Sequence, residues 1–218
     1  MKSILTLFLL AASWNFAVGA ETNEERSAPP NSAAATASPS LLHLIPVWGL
    51  TGTAIKWDGG GTDRLTGFSL GTFADIGSGA LVFESGLVLN KFGGQQSFEG
   101  TNVKIQLDYL AVPLFAKYNV IGDPENRLYF KGGVMPSELM STTVALDDQV
   151  VDRATVNIRS FDLPAVIGLG ASLFSSGRNS LVIEATYLRS LININSMGGA
   201  PSLRNEGFAF NAGVSVAL

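Results

Sequence analysis

Hydrophobic and polar residues alternate one for one along most of this chain. The clearest case is residues 207–218, which read G-F-A-F-N-A-G-V-S-V-A-L. Phe208, Phe210, Ala212, Val214, Val216 and Leu218 share one parity; Ala209, Asn211, Gly213, Ser215 and Ala217 share the other. Side chains along a strand point alternately to its two faces, so this stretch predicts a strand with one apolar face and one small or polar face. Two architectures use such a strand. A water-soluble sandwich buries the apolar face, and a membrane barrel turns it outward to lipid.

The same alternation predicts seven further strands, over residues 44–57, 66–76, 80–92, 103–120, 128–140, 155–174 and 181–194. Trp48, Leu50, Phe68, Leu70, Phe83, Leu87, Leu114, Leu128, Phe130, Ile167, Leu169 and Ile183 lie on their apolar faces. Nothing beyond residue 20 carries the 3.6-residue period of a helix over a useful length. Compact connections are expected after the second, fourth and sixth strands: Gly77-Ser78-Gly79, the Pro124-containing segment 122–126, and 175–179. Longer ones are expected at 58–65, 93–102, 141–154 and 195–206. Short turns therefore gather on one rim and long loops on the other, the asymmetry of bacterial outer-membrane barrels.

Energetics point the same way. A strand crosses the hydrocarbon in about 9–11 residues, and most of the runs are that long. Backbone polar groups in lipid must all be paired, so the sheet has to close on itself. The expected fold is all-β: an eight-stranded antiparallel up-and-down transmembrane β-barrel. Parity then turns Asp75, Glu84, Lys131, Asp162 and Glu184, with Lys117, toward the lumen, among glycines and serines small enough for a narrow barrel to pack shut. Charge on the lipid side near the midplane would cost a few kcal/mol. Trp48, Trp57, Phe92, Tyr118, Tyr129, Tyr187 and Phe208, near the ends of runs, are candidates for interfacial aromatic girdles.

Composition agrees with a lipid-exposed surface. Charged residues are 15% of the chain and hydrophobic residues 46%, against a usual charged share of roughly 25%. The formal charge of -4 lacks the basic excess of a nucleic-acid binder. The absence of cysteine excludes disulfides and thiolate metal sites. Residues 1–20 read as a signal peptide: Lys2, an apolar core from Ile4 to Ala12, and small residues Val18-Gly19-Ala20 before Glu21. Residues 21–42 are a low-complexity linker rich in Ala, Ser, Pro, Thr and Glu, expected to be disordered. Residues 43–218 form the barrel. An even strand number leaves both ends, and the N-terminal tail, on the periplasmic side.

The run Leu107-Asp108-Tyr109-Leu110-Ala111-Val112-Pro113-Leu114-Phe115-Ala116-Lys117-Tyr118 is similar to the tyrosine-leucine…proline-leucine strand of PorT-like barrels. Leu128-Tyr129-Phe130-Lys131-Gly132-Gly133-Val134 and the glycine-rich strand over 161–173 resemble that group as well. With the leader and the terminal amphipathic strand, the chain resembles the small outer-membrane β-barrel proteins of the OmpA/OmpX-like superfamily. Such barrels usually end on an aromatic residue read by the barrel-assembly machinery; this chain ends on Leu218. The resemblance implies the bacterial outer membrane, contact with outer-membrane lipid, and insertion by that machinery. It implies no particular activity.

The residues carry little chemistry. The single histidine, His43, stands at the edge of the linker. No G-x-S-x-G elbow, phosphate-cradling loop or metal-ligand cluster is present. No catalytic, cofactor-binding or metal-binding residue is therefore assigned, and no cofactor is expected. Asp147-Asp148 with Asp152 read as a solvated acidic loop, with a divalent-cation site as the sharper alternative. The lumen charges read either as a salt-bridged plug or as a polar conduit. The expected function is non-enzymatic: a structural or surface-interaction protein, its loops open to an extracellular partner, or a scaffold for envelope machinery. Alternatives are a narrow pore for small solutes, a barrel enzyme acting on lipid, and a soluble lipocalin-like barrel with Phe208 and Phe210 turned inward.

Overall fold

Eight long antiparallel strands, each paired with the next, make a ring. They are β1 (Leu42–Trp57), β2 (Asp63–Ile76), β3 (Leu81–Phe98), β4 in two pieces (Thr101–Ala111 and Leu114–Gly122), β5 in two pieces (Arg127–Val134 and Ser137–Leu146), β6 in two pieces (Phe161–Asp162 and Pro164–Ser176), β7 (Asn179–Ser190) and β8 (Arg204–Ala217). The ring closes between first and last, from His43↔Ala217 to Lys56↔Arg204. This computed structural model describes residues 42–77, 79–122, 126–147, 149–151, 157–176, 179–197 and 200–218. The expected signal peptide and nearly all of the linker lie outside the described residues, as do Asp148 and Asp152.

The breaks in β4, β5 and β6 fall at Pro113, Pro136 and the residue before Pro164. Proline has no N–H for a ladder. Register is nonetheless held: Ala111 faces Ser137 and Leu114 faces Val134 on either side of the first break. The Val112 N–H donates to the Pro136 carbonyl and the Met135 N–H to the Pro164 carbonyl, each at 2.9 Å, carrying the pairing across the gap.

The loop rim differs from expectation at all four connections, and in the expected 141–154 loop residues 141–146 extend β5 while Gln149–Val151 pairs back onto Val144–Leu146. Residues 93–102, expected as a loop, are mostly strand: β3 and β4 continue to a two-residue turn at Glu99-Gly100. Both turn residues have positive φ, 49° and 85°, the backbone of a tight hairpin whose twist matches its strands. The expected 58–65 connection likewise shrinks, with Gly60–Gly61 folded back onto β1 and β2 starting at Asp63. Finally, β6 begins at Phe161 rather than 155, and β7 ends at Ser190 rather than 194. The run Leu191-Ile192-Asn193-Ile194 alternates like a strand, but its asparagines compete for the backbone. The Asn193 Oδ1 accepts from the N–H groups of Asn195 (2.9 Å) and Leu203 (2.8 Å), and the Asn195 Oδ1 from Met197 (2.9 Å). Such side-chain turns displace ladder bonds.

Outward positions carry the apolar belt: Trp48 is 64% exposed and Phe210 63%. From the turn rim, outward positions of the described strands are uncharged until Lys56 on β1, Arg64 on β2, Lys91 on β3, Asp108 on β4, Glu138 on β5, Arg189 on β7 and Glu206 on β8. The reversed, lipocalin-like arrangement is thereby overturned. Its Phe208 and Phe210 would have to line the centre, whereas charged side chains lie there and the aromatics lie outside. Inside, a small apolar cluster (Ile45, Val47, Phe73, Val88, Val182) fills part of the turn-side half. A larger one, including Phe92, Leu107, Tyr109, Phe115, Met135 and Leu188, fills the loop-side half and takes in Ile194 from the β7–β8 connection.

Candidate functional site

The lumen holds two buried polar groups on the inward parity of the strands. In the first, β3 supplies Glu84, β4 Lys117, β5 Lys131 and Tyr129, β7 Glu184, and β2 Asp75. Glu84 and Glu184 are each 1% exposed. Lys131 Nζ lies 3.0 Å from Glu84 Oε1 and 2.5 Å from Glu184 Oε2, and so bridges the two carboxylates. Lys117 Nζ pairs with Glu84 Oε2, lies 3.0 Å from Asp75 Oδ1, and stands 3.5 Å from Glu184 Oε1. The Tyr129 hydroxyl donates to Glu184 Oε1 at 2.8 Å. Both ammonium groups also sit over rings: Lys117 over Tyr129 at 4.9 Å, and Lys131 over Phe73 and Phe115 at 4.9 and 5.0 Å. Desolvating a charge is costly unless it is paired and hydrogen-bonded. Here each lysine is compensated by carboxylates and by the negative faces of rings.

The second group lies on neighbouring strands. Asp162 of β6 is fully buried. Its Oδ2 accepts from Ser190 Oγ of β7 at 2.8 Å and from Asn205 Nδ2 of β8 at 2.9 Å; its Oδ1 accepts from the Leu163 N–H at 2.7 Å. Asn205 Nδ2 also reaches the Tyr109 hydroxyl, from β4 across the lumen, at 3.3 Å. A cavity of about 30 Å³ between the groups is lined by Ser69, Asn90, Lys131, Thr186 and Asn211 among others, room for one or two waters.

Of the lumen residues singled out from sequence, Asp75, Glu84, Lys117, Lys131 and Glu184 thus meet in one cluster, and Asp162 stands apart from them. Two of the girdle candidates require correction. Tyr129 and Phe92 are buried inside the barrel, Tyr129 as a hydrogen-bond donor to Glu184 and Phe92 in the apolar cluster beside Tyr109. Parity carried the signal: each stands opposite in phase to the outward residues of its own strand, Leu128 and Phe130 for one, Leu87 and Leu89 for the other. Trp48, Tyr118 and Phe208 do face outward. Sequence reasoning passed over Ser190 and Asn205, and noted Tyr109 only within the run that carries the resemblance, because uncharged polar residues on an inward parity look like ordinary lumen filler. His43 lies at the turn rim with its Nδ1 3.3 Å from Ser215 Oγ. Asp147 stands in a turn and accepts from the Asn102 N–H of β4 at 2.8 Å, which ties that turn to the neighbouring strand; the other two acidic residues of its loop fall outside the described residues.

The family model for the outer membrane protein beta-barrel domain matches residues 65–196, more than half of the chain. Among solved structures, Neisserial surface protein A is similar at 14% identity, over 82% of this chain and 98% of that one, with a TM-score of 0.50. The outer membrane protein OprG from Pseudomonas aeruginosa is similar at 13% identity, over 82% of this chain and 96% of that one, also with a TM-score of 0.50. At that identity the likeness is one of fold. No curated protein matches the sequence.

Proposed function

Because the chain belongs to the outer membrane protein beta-barrel domain family, we propose that it is a non-enzymatic barrel of the bacterial outer membrane with a stoppered lumen, acting through its wall and its loops. The observation that carries this reading is the five-residue charge cluster, whose two lysines and three carboxylates spend their charge on one another. The apolar packing on its loop side supports it further. A conduit needs charges that face water and exchange partners with a passing ion; these face each other. On this reading the loop rim is the extracellular one and the turn rim, with the N-terminal tail, periplasmic, following the asymmetry general to such barrels.

Planar-bilayer recording of the purified, refolded protein tests the reading. The expected record is flat, with no unitary steps in potassium chloride at either polarity. Reproducible steps would overturn it in favour of the narrow pore.

A further inference from the structure

The outward wall changes character where the apolar belt ends on β7, β8, β1 and β2. Four cations, Arg189, Arg204, Lys56 and Arg64, gather there with one carboxylate, Glu206. Arg189 and Glu206 are register partners and pair at 3.6 Å. That leaves Lys56 and Arg204, which are direct cross-strand partners on the outward face. Like charges directly opposite on adjacent strands repel. Among the described residues neither has an ion-pair partner, and Arg204 Nε is buried without a hydrogen-bond acceptor. Arg64 follows just beyond the last β1–β2 pair, Thr53↔Leu65, and its guanidinium lies 4.8 Å from the Phe208 ring of β8, so its side chain reaches across β1. Ala54 of β1, the register partner of Glu206, is only 1% exposed although it points outward. Below it, Gly52 has open space over its Cα, flanked in register by Thr66 and Phe208, with Leu50, Phe68 and Phe210 exposed beneath.

We propose that this patch is a binding site for a lipid headgroup carrying phosphate monoesters, in the leaflet at the loop rim. The net of three positive charges and the lone buried Nε call for a compact, multiply charged oxyanion, and guanidinium forks match phosphate oxygens two at a time. The site's height fixes the source. It sits where the apolar belt meets the polar rim, the level of lipid headgroups, with an open strip at Gly52 and exposed apolar side chains below for acyl chains. Basic pockets at that level bind anionic headgroups. A phosphate there would neutralise the Lys56–Arg204 repulsion and give Arg204 Nε its acceptor. The proposal rests on the outer-membrane reading but not on a closed lumen, and a conducting barrel would leave it standing.

The test compares wild type, the double variant Lys56→Gln/Arg204→Gln, and Arg127→Gln, a cation exposed at the turn rim. Each is refolded in phosphatidylcholine bilayers alone, or with bis-phosphorylated lipid A, lipid A stripped of its phosphates, or phosphatidylglycerol. The midpoint of heat unfolding is read from gel mobility. Phosphorylated lipid A is expected to raise the midpoint of wild type and Arg127→Gln, and most of that gain is lost in the double variant. Stripped lipid A gives none, and phosphatidylglycerol, a singly charged diester, gives less. In phosphatidylcholine alone the double variant is expected to be at least as stable as wild type, because a like-charged pair has been removed. An equal gain in the double variant, a gain from stripped lipid A, a phosphatidylglycerol effect as large as lipid A's, or a double variant weaker than wild type in phosphatidylcholine would each overturn the site.

Discussion

The two buried polar groups solve the same problem in different ways. The cluster around Lys131 neutralises charge with charge and draws its members from five strands around the ring. The group around Asp162 holds a single carboxylate with neutral donors, a hydroxyl, an amide and a backbone N–H, from three consecutive strands, with Tyr109 of β4 reaching Asn205 from across the lumen. The first also ties strands that are not neighbours, since Asp75, Lys117 and Glu184 lie on β2, β4 and β7. The contacts of Asp162 itself come from consecutive strands. Loss of a member should therefore matter more in the first.

Replacing Lys131 puts the comparison under the greatest load. In Lys131→Met three carboxylates share one remaining ammonium, and both bridged glutamates lose a partner. Breaking a buried ion pair from one side costs about 3–5 kcal/mol, and urea unfolding in lipid vesicles should show a loss of that size. Asp162→Asn comes next. Every hydrogen-bond partner of Asp162 among the described residues donates to it, so an amide at that place turns one donor against another whichever way it flips. The expected loss is about 1–3 kcal/mol; a loss exceeding that of Lys131→Met would invert the ranking. The smallest effect belongs to Tyr129→Phe. Glu184 Oε1 gives up one hydrogen bond, yet Lys131 still holds the other oxygen. About 1 kcal/mol should go, with the urea slope unchanged.

Much of this architecture was legible in the residues, because strand parity is a strict rule. Glu84 is inward for the same reason that Phe83 is outward, and a slip of one residue would have put both on the wrong side. The parity argument covered Lys117, Lys131 and Glu184 too. What parity does not encode is height and azimuth. Nothing in the sequence says that Asp162 sits apart from Glu184 rather than beside it, since that depends on strand stagger around the ring. Loop lengths were misjudged because Gly93 and Gly94 look like loop residues, whereas here they are paired with Gln106 and Ile105 inside a hairpin. At residues 191–195 the apolar alternation was real, but two asparagine side chains outbid the ladder. Girdle membership failed for Tyr129 and Phe92, where residue type was weighed above phase.

The charge cluster has a mechanical side. A thin cylinder in a bilayer is squeezed from all directions, and the soft response of such a shell is to flatten into an oval. Contacts running along the wall resist that poorly. The ties from Asp75, Glu84, Lys117, Lys131 and Glu184 run through the interior instead, like spokes joining separate arcs of a rim. Flattening along any axis would pull some of them apart where little water is at hand to replace them, so the cross-section is braced round.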